Sequence, residues 1–282
     1  FVATNWPLLL DDSGVADILD QANHLIGQEV ANLEKAPLGF SPQQLAALQQ
    51  SFRTRQGSEQ LKQDVIQRLQ QQLEPAHARQ LQTLLQSPRM QFLQTLQAQL
   101  NDDVVRQSLR TYRVQVREAT PNSDRLELLT TLDDTRRLSA LETALKEELR
   151  KPMLVTVTQM ETQETVPEKL LDAQLQQYRQ DVAQQISRNA LDANLYLLKR
   201  TPSAQVQDLI SSLEQPAFEH FMAICQTAIQ DSFRAAREQF QTDFGRWRYQ
   251  VPGAVARCRS SEEVATVVRF CRENKLPIAA RS

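Results

Sequence analysis

"RQLQTLLQSPRMQFLQTLQ" at residues 79–97 and "QDLISSLEQPAFEHFMAIC" at residues 207–225 overlie one another when the chain is slid by 128 positions. Leu81 then meets Leu209, Leu85 meets Leu213, Met90 meets Phe218, Leu93 meets Phe221, and Leu96 meets Ile224. Apolar residues three and four apart form one buried face of a helix. Pro88 and Pro216 coincide and break both stretches at the same point, because proline lacks the N–H that would continue the preceding helix. Upstream, Pro75 and Pro202 open the preceding helix in both copies, one residue out of step. Any two amphipathic helices align at some offset; the shared proline break is what argues for duplication. The implied architecture is mainly α, a multi-helix domain over 14–241 built from two repeats, 14–118 and 122–241, behind an N-terminal segment 1–13.

The same period runs outward from these two stretches. Leu61, Val65, Ile66, Leu69 and Leu73 form one stripe; Leu138, Leu141, Leu145 and Leu149 form another; Leu171, Leu175, Tyr178, Val182 and Ile186 a third. Ser41-Pro42, Ser87-Pro88 and Thr201-Pro202 each offer a capping hydroxyl followed by proline at the first helical position, where its missing N–H costs nothing. Glu142 and Lys146 stand one turn apart and can pair on the solvent side. "KPMLVTVTQM" (151–160) carries β-branched residues that suit a strand, and it is read as helix. This helical pattern, an amphipathic helix leading into a Ser-Pro break and a second helix, resembles a helical family of unknown function common in exported bacterial proteins. The glycine usual after the Ser-Pro in that family is absent at Pro88 and at Pro216.

Composition narrows the function classes. Only 6 Gly and 6% aromatics point to helices packed through Leu, Ile and Val, since turn-rich β folds need more glycine. With 32 Lys and Arg against 34 Asp and Glu, the chain lacks the basic excess of a nucleic-acid binder. No stretch approaches the ~20 apolar residues of a membrane span. The chain opens on Phe1 rather than Met, as a protein stripped of an export signal or a fragment would.

Chemistry-bearing residues are scattered. His24, His77 and His220 lie far apart without ligand-type partners one turn away, so no metal site is expected. Asp11-Asp12, Asp102-Asp103 and Asp133-Asp134 are adjacent pairs that diverge by about 100° on a helix, which suits solvated faces or caps better than an acid/base dyad. Cys225, Cys258 and Cys271 have neither metal-ligand nor disulfide-framework spacing.

The last forty residues change character. "AVARC" (254–258) follows Pro252-Gly253 as a strand candidate, and Ser260 to Glu263 form a capping box. The helix runs through Val264, Val267, Val268 and Cys271 to about Asn274, and "LPIAARS" (276–282) begins a second strand. Strand, helix and strand with short links make a βαβ unit. Val255 and Ile278 would then lie on neighbouring parallel strands. Pro252-Gly253-Ala254-Val255, the Ser260–Val264 helix start, Leu276-Pro277-Ile278 and Arg281-Ser282 together resemble the opening of the flavin-binding domain of FAD-linked oxidases. The type is that of vanillyl-alcohol oxidase, in its berberine-bridge-like branch.

That resemblance implies that 242–282 is the truncated start of an α+β FAD-binding domain. Its next residues in the family are a Gly-Gly-His-like run whose backbone N–H groups face the FAD pyrophosphate, and in this branch a histidine there is often bonded to the flavin. Arg281 and Ser282 would stand at the entrance to that loop as the cofactor-binding candidates. The resemblance implies a parent oxidoreductase acting on a small-molecule substrate such as an alcohol or sugar, with FAD as cofactor. The chain itself would then lack most of the flavin site. The competing expectation is a non-enzymatic helical interaction or structural protein, of an exported kind and open to a protein partner, whose tail is a spurious or decayed fusion.

Overall fold

The computed structural model describes residues 4–35, 41–118, 122–162, 168–250, 258 and 260–274. It divides into two compact units, 1–234 and 235–282, with the division inside a long helix rather than at the expected 241/242 boundary. Among the described residues every regular element is helical.

The first unit opens with α1 (Trp6–Ser13), α2 (Val15–Asp20) and α3 (Ala22–Lys35). Gly14 turns the chain between α1 and α2 at φ 83°, a left-handed conformation that only glycine adopts without strain. There α4 (Pro42–Gln56) and α5 (Ser58–Gln72) follow, parted at Gly57, where a Cβ would meet the Arg53 carbonyl at 2.2 Å. Then α6 (Pro75–Leu85), α7 (Pro88–Ala98), a 3₁₀ turn (Gln99–Asn101) and α8 (Asp103–Glu118) complete the first half. The second half contains α9 (Ser123–Arg136), α10 (Leu138–Thr162), α11 (Glu168–Leu197), α12 (Ser203–Leu213) and α13 (Pro216–Gln250).

The bounds of α6 and α12 differ by the offset of 128 read in the sequence, as do the first residues of α7 and α13. The buried positions coincide too: Leu81 with Leu209, Leu85 with Leu213, and Leu93 with Phe221 are all almost wholly enclosed. In the first half α1 packs on α6, while α2 and α3 pack on α5 and α4; in the second, α9 packs on α12 and α10 on α11. Each half also turns one corner through a left-handed residue, Gly14 before α2 and Arg137 (φ 59°) before α10. The two corners meet, since a Cβ on Gly14 would approach the Leu138 Cδ1 to 3.0 Å. Between the halves, α10 packs against α2 and α3.

The caps follow the expected chemistry with one shift. Ser41 accepts from the Gln44 N–H at 3.2 Å while Gln44 accepts from the Ser41 N–H at 2.8 Å, a reciprocal capping box. Ser87 caps α7 through the Met90 N–H. Thr201 does not cap α12, which starts one residue later with Pro202 at its N-cap. The Thr201 N–H closes a turn onto the Leu198 carbonyl at 2.8 Å, and Arg125 of α9 donates from Nη2 to the carbonyls of Leu198 and Thr201, each at 2.8 Å. The stretch 151–160 is helical within α10, which runs through Pro152. Glu142 and Lys146 do pair, at 2.8 Å, but both are half-buried rather than on an open face.

In the second unit the described part contains the end of α13 and α14 (Ser261–Glu273). Ser260 caps α14 by accepting from the Glu263 N–H at 3.2 Å, and Asn274 ends it. The strand candidates at 254–258 and 276–282 lie outside the described residues except Cys258, which has no regular structure. No strand occurs among the described residues.

Gly14→Ala should destabilise the first unit by about 1–3 kcal/mol, combining a left-handed alanine with pressure on Leu138. Urea unfolding followed by circular dichroism checks this. An unchanged midpoint would show that the corner can relax.

Candidate functional site

Arg106, Leu109, Arg110 and Arg113 on α8 fall three and four residues apart, so they share one face. That face forms one wall of a cleft of about 480 Å³, completed by the end of α9, the start of α10 and the C-terminal part of α11. Its floor mixes apolar side chains such as Ile18 and Ile186 with polar ones, Asn194 among them.

Most charges there are answered locally. The buried Arg136 donates from Nη2 to Gln97 Oε1 at 2.6 Å. Burial pulls its pKa down to about 10, against the charge of Asp133, so it stays cationic at neutral pH. Burial raises the Asp133 carboxyl above its usual range, opposed by the Ser139 hydroxyl that donates to it at 2.8 Å and by Arg136. Arg113 pairs with Asp192 at 3.3 Å, and Arg106 pairs with Asp103 one turn back. Tyr112 and Tyr196 meet edge to face at 5.5 Å and tie α8 to α11.

A second polar cluster joins α10 to α11. Lys151, 8% exposed, lies 2.8 Å from Glu148 and 3.5 Å from both Glu147 and Asp172. Arg179 donates from Nε to Glu147 at 2.6 Å and from Nη2 to its other oxygen, a two-point grip. Arg150 reaches Glu29 of α3 at 2.7 Å and lies over the Tyr178 ring. Burial pushes the Glu147 carboxyl up, but the Arg179 hydrogen bond and the charges of Lys151 and Arg179 outweigh it, leaving it below the usual range.

The residues singled out from sequence fare differently. His24 bonds only along its own helix, to Gln28 at 2.9 Å. His77 and His220, separated by 143 positions, come together with their Nδ1 atoms 3.4 Å apart. Among the described residues no group of three or more His, Cys, Asp and Glu is placed to hold a metal ion. Of the aspartate doublets, Asp133 is buried at the cleft while Asp134 is exposed, so they form no dyad. Cys225 is buried and its thiol is pushed well up by that burial; Cys258 and Cys271 are half-exposed, and all three are free. Arg281 and Ser282 lie outside the described residues. No described helix is long and apolar enough to cross a membrane.

Sequence reading missed the cleft. Its signals were the arginine stripe of α8 and Asn194 between Leu191 and Leu195 on α11. A wider groove of about 800 Å³ lies where the α6–α7 break faces the α12–α13 break, but solvated side chains such as Arg79 and Thr83 line it. No family model, curated protein or solved structure matches the chain.

Because the folded pKa of Glu147 is depressed, its stabilisation is present above the ordinary glutamate value of 4.5 and is lost as pH falls through the folded value. Glu147→Gln should cost about 1–3 kcal/mol at neutral pH. Its loss of stability below about pH 4.5 should also be shallower than in the unmodified chain. Urea midpoints measured from pH 7 to pH 3 check both statements.

Proposed function

We propose that the chain is the N-terminal portion of an FAD-linked oxidoreductase, in which a duplicated helical domain precedes the first βαβ unit of a flavin-binding domain. Residues 252–282 carry this reading through their likeness to that domain's opening. Its structural support is α14. The helix spans Ser261–Glu273 between its caps Ser260 and Asn274, in keeping with a βαβ helix at this position. Its apolar stripe is largely bare, with Val264 48% and Val268 44% exposed, and Phe270 beside it is 58% exposed. An isolated helix of 13 residues is marginal in water, so a stripe of this kind calls for a covering sheet.

In this reading bound FAD would supply the redox chemistry, hydride acceptance from a small alcohol, sugar or similar substrate, and the protein would supply position and electrostatics. Arg281 and Ser282 lead into the phosphate-binding loop. The unit 1–234 has its own enclosed core, centred on residues such as Leu61, Leu129, Phe221 and Phe233, which favours a second reading as a free-standing helical binding protein.

Two measurements separate these. The natural polypeptide containing this sequence, identified by peptides from α12 and α13, should be purified and its visible spectrum recorded. Flavin absorbance in equal stoichiometry is expected; a flavin-free polypeptide would contradict the oxidoreductase. Residues 1–282 alone, mixed with excess FAD and stripped of free ligand, should retain none. Stoichiometric retention would show that the flavin site lies within these residues.

A further inference from the structure

We propose that the cleft between α8, α9, α10 and α11 binds a small organic carboxylate with an apolar body. This goes beyond the flavin reading and does not depend on it.

The walls supply two complementary surfaces. Ile18, Leu100, Leu109, Leu138, Ile186 and Leu197 offer apolar contact, and the volume of about 480 Å³ suits a small organic molecule. The polar lining holds four arginines, at 106, 110, 113 and 136, against two carboxylates, Asp133 and Glu142. Glu142 is already met by Lys146, Arg106 by Asp103, Arg113 by Asp192, and Arg136 by Gln97 and the nearby Asp133. Arg110 is therefore the cation of the lining that has no described partner. It is exposed and free to pair with an anion that enters the cleft.

The second observation is Asn194. It is 5% exposed and lines the cleft, and its side-chain amide makes no hydrogen bond among the described residues. That amide is open to the cleft, so its N–H groups are free to donate to a bound oxygen. Arg110 and Asn194 reach the cleft from α8 and α11, so a ligand between them would be gripped from two walls. The planar guanidinium matches a planar carboxylate through two parallel N–H···O bonds. One exposed guanidinium matches a singly charged carboxylate better than a multiply charged phosphate, whose lost hydration it would not replace.

Titration calorimetry of residues 1–282 with decanoate, kept below its micelle concentration and at fixed ionic strength, tests this. Decan-1-ol and inorganic phosphate serve as the separate apolar and anionic halves. Single-site decanoate binding is expected, with both controls weaker by about tenfold or more. Arg110→Gln, a change on an exposed side chain, should weaken decanoate about tenfold without moving the melting temperature. Ala193→Phe, which fills the cleft, should abolish binding, and circular dichroism establishes that this variant is folded. Absent decanoate binding would overturn the proposal. So would phosphate binding of equal strength, or decanoate binding indifferent to both substitutions.

Discussion

An ammonium group sits almost out of water in the middle of the first unit, and the surrounding helices are arranged to answer it. Lys151 occupies the centre of α10, the helix that packs against α2, α3, α9 and α11. Moving a charge into such a place is unfavourable unless partners replace the lost water. Glu147 and Glu148 come from its own helix and Asp172 from α11. Arg179 then balances Glu147, and Arg150 beside it engages Glu29 on α3. The cluster fixes which faces of α3, α10 and α11 can meet. Beyond it, Val155, Leu171 and Leu175 close the same interface with an apolar patch.

The polar clamps elsewhere follow the same logic on a smaller scale. Gln94 of α7 donates to the Asp12 and Leu85 carbonyls near the ends of α1 and α6, and Arg125 of α9 does so beyond α11. Helix ends leave carbonyls without partners, and a long side chain from a neighbouring helix answers them while holding the two helices together. In the cleft beside α8, Arg110 and Asn194 make no side-chain hydrogen bond among the described residues, and Arg113 Nε is buried without one.

Local physics was legible in the sequence. Ser41, Ser87 and Ser260 cap the expected helices, and Leu61, Val65 and Leu69 are enclosed as their spacing requires. Even 151–160, with a β-branched run that suits a strand, is helical, because the buried faces of Lys151 and Val155 belong to α10. What could not be read depends on contacts across the fold. Thr201 sits in a turn that Arg125, far away in sequence, binds, and α12 starts after it. His77 meets His220 only because α6 and α13 are neighbours there. The cleft draws its groups from several helices, each of which alone shows an ordinary amphipathic pattern. The strands expected around α14 fall outside the described residues, and the helix itself is present with its apolar stripe open.

Native-state hydrogen exchange resolved by residue tests most directly whether α10 is the centre on which the first unit is built while α14 stands with its apolar stripe uncovered. Amides of α10 between Leu145 and Val155 should exchange only through global unfolding, with the full stability of the unit. Those of α14 should exchange through local opening at far lower free energy. Equal protection of α14 and α10, or release of α10 ahead of α6 and α12, would contradict the account.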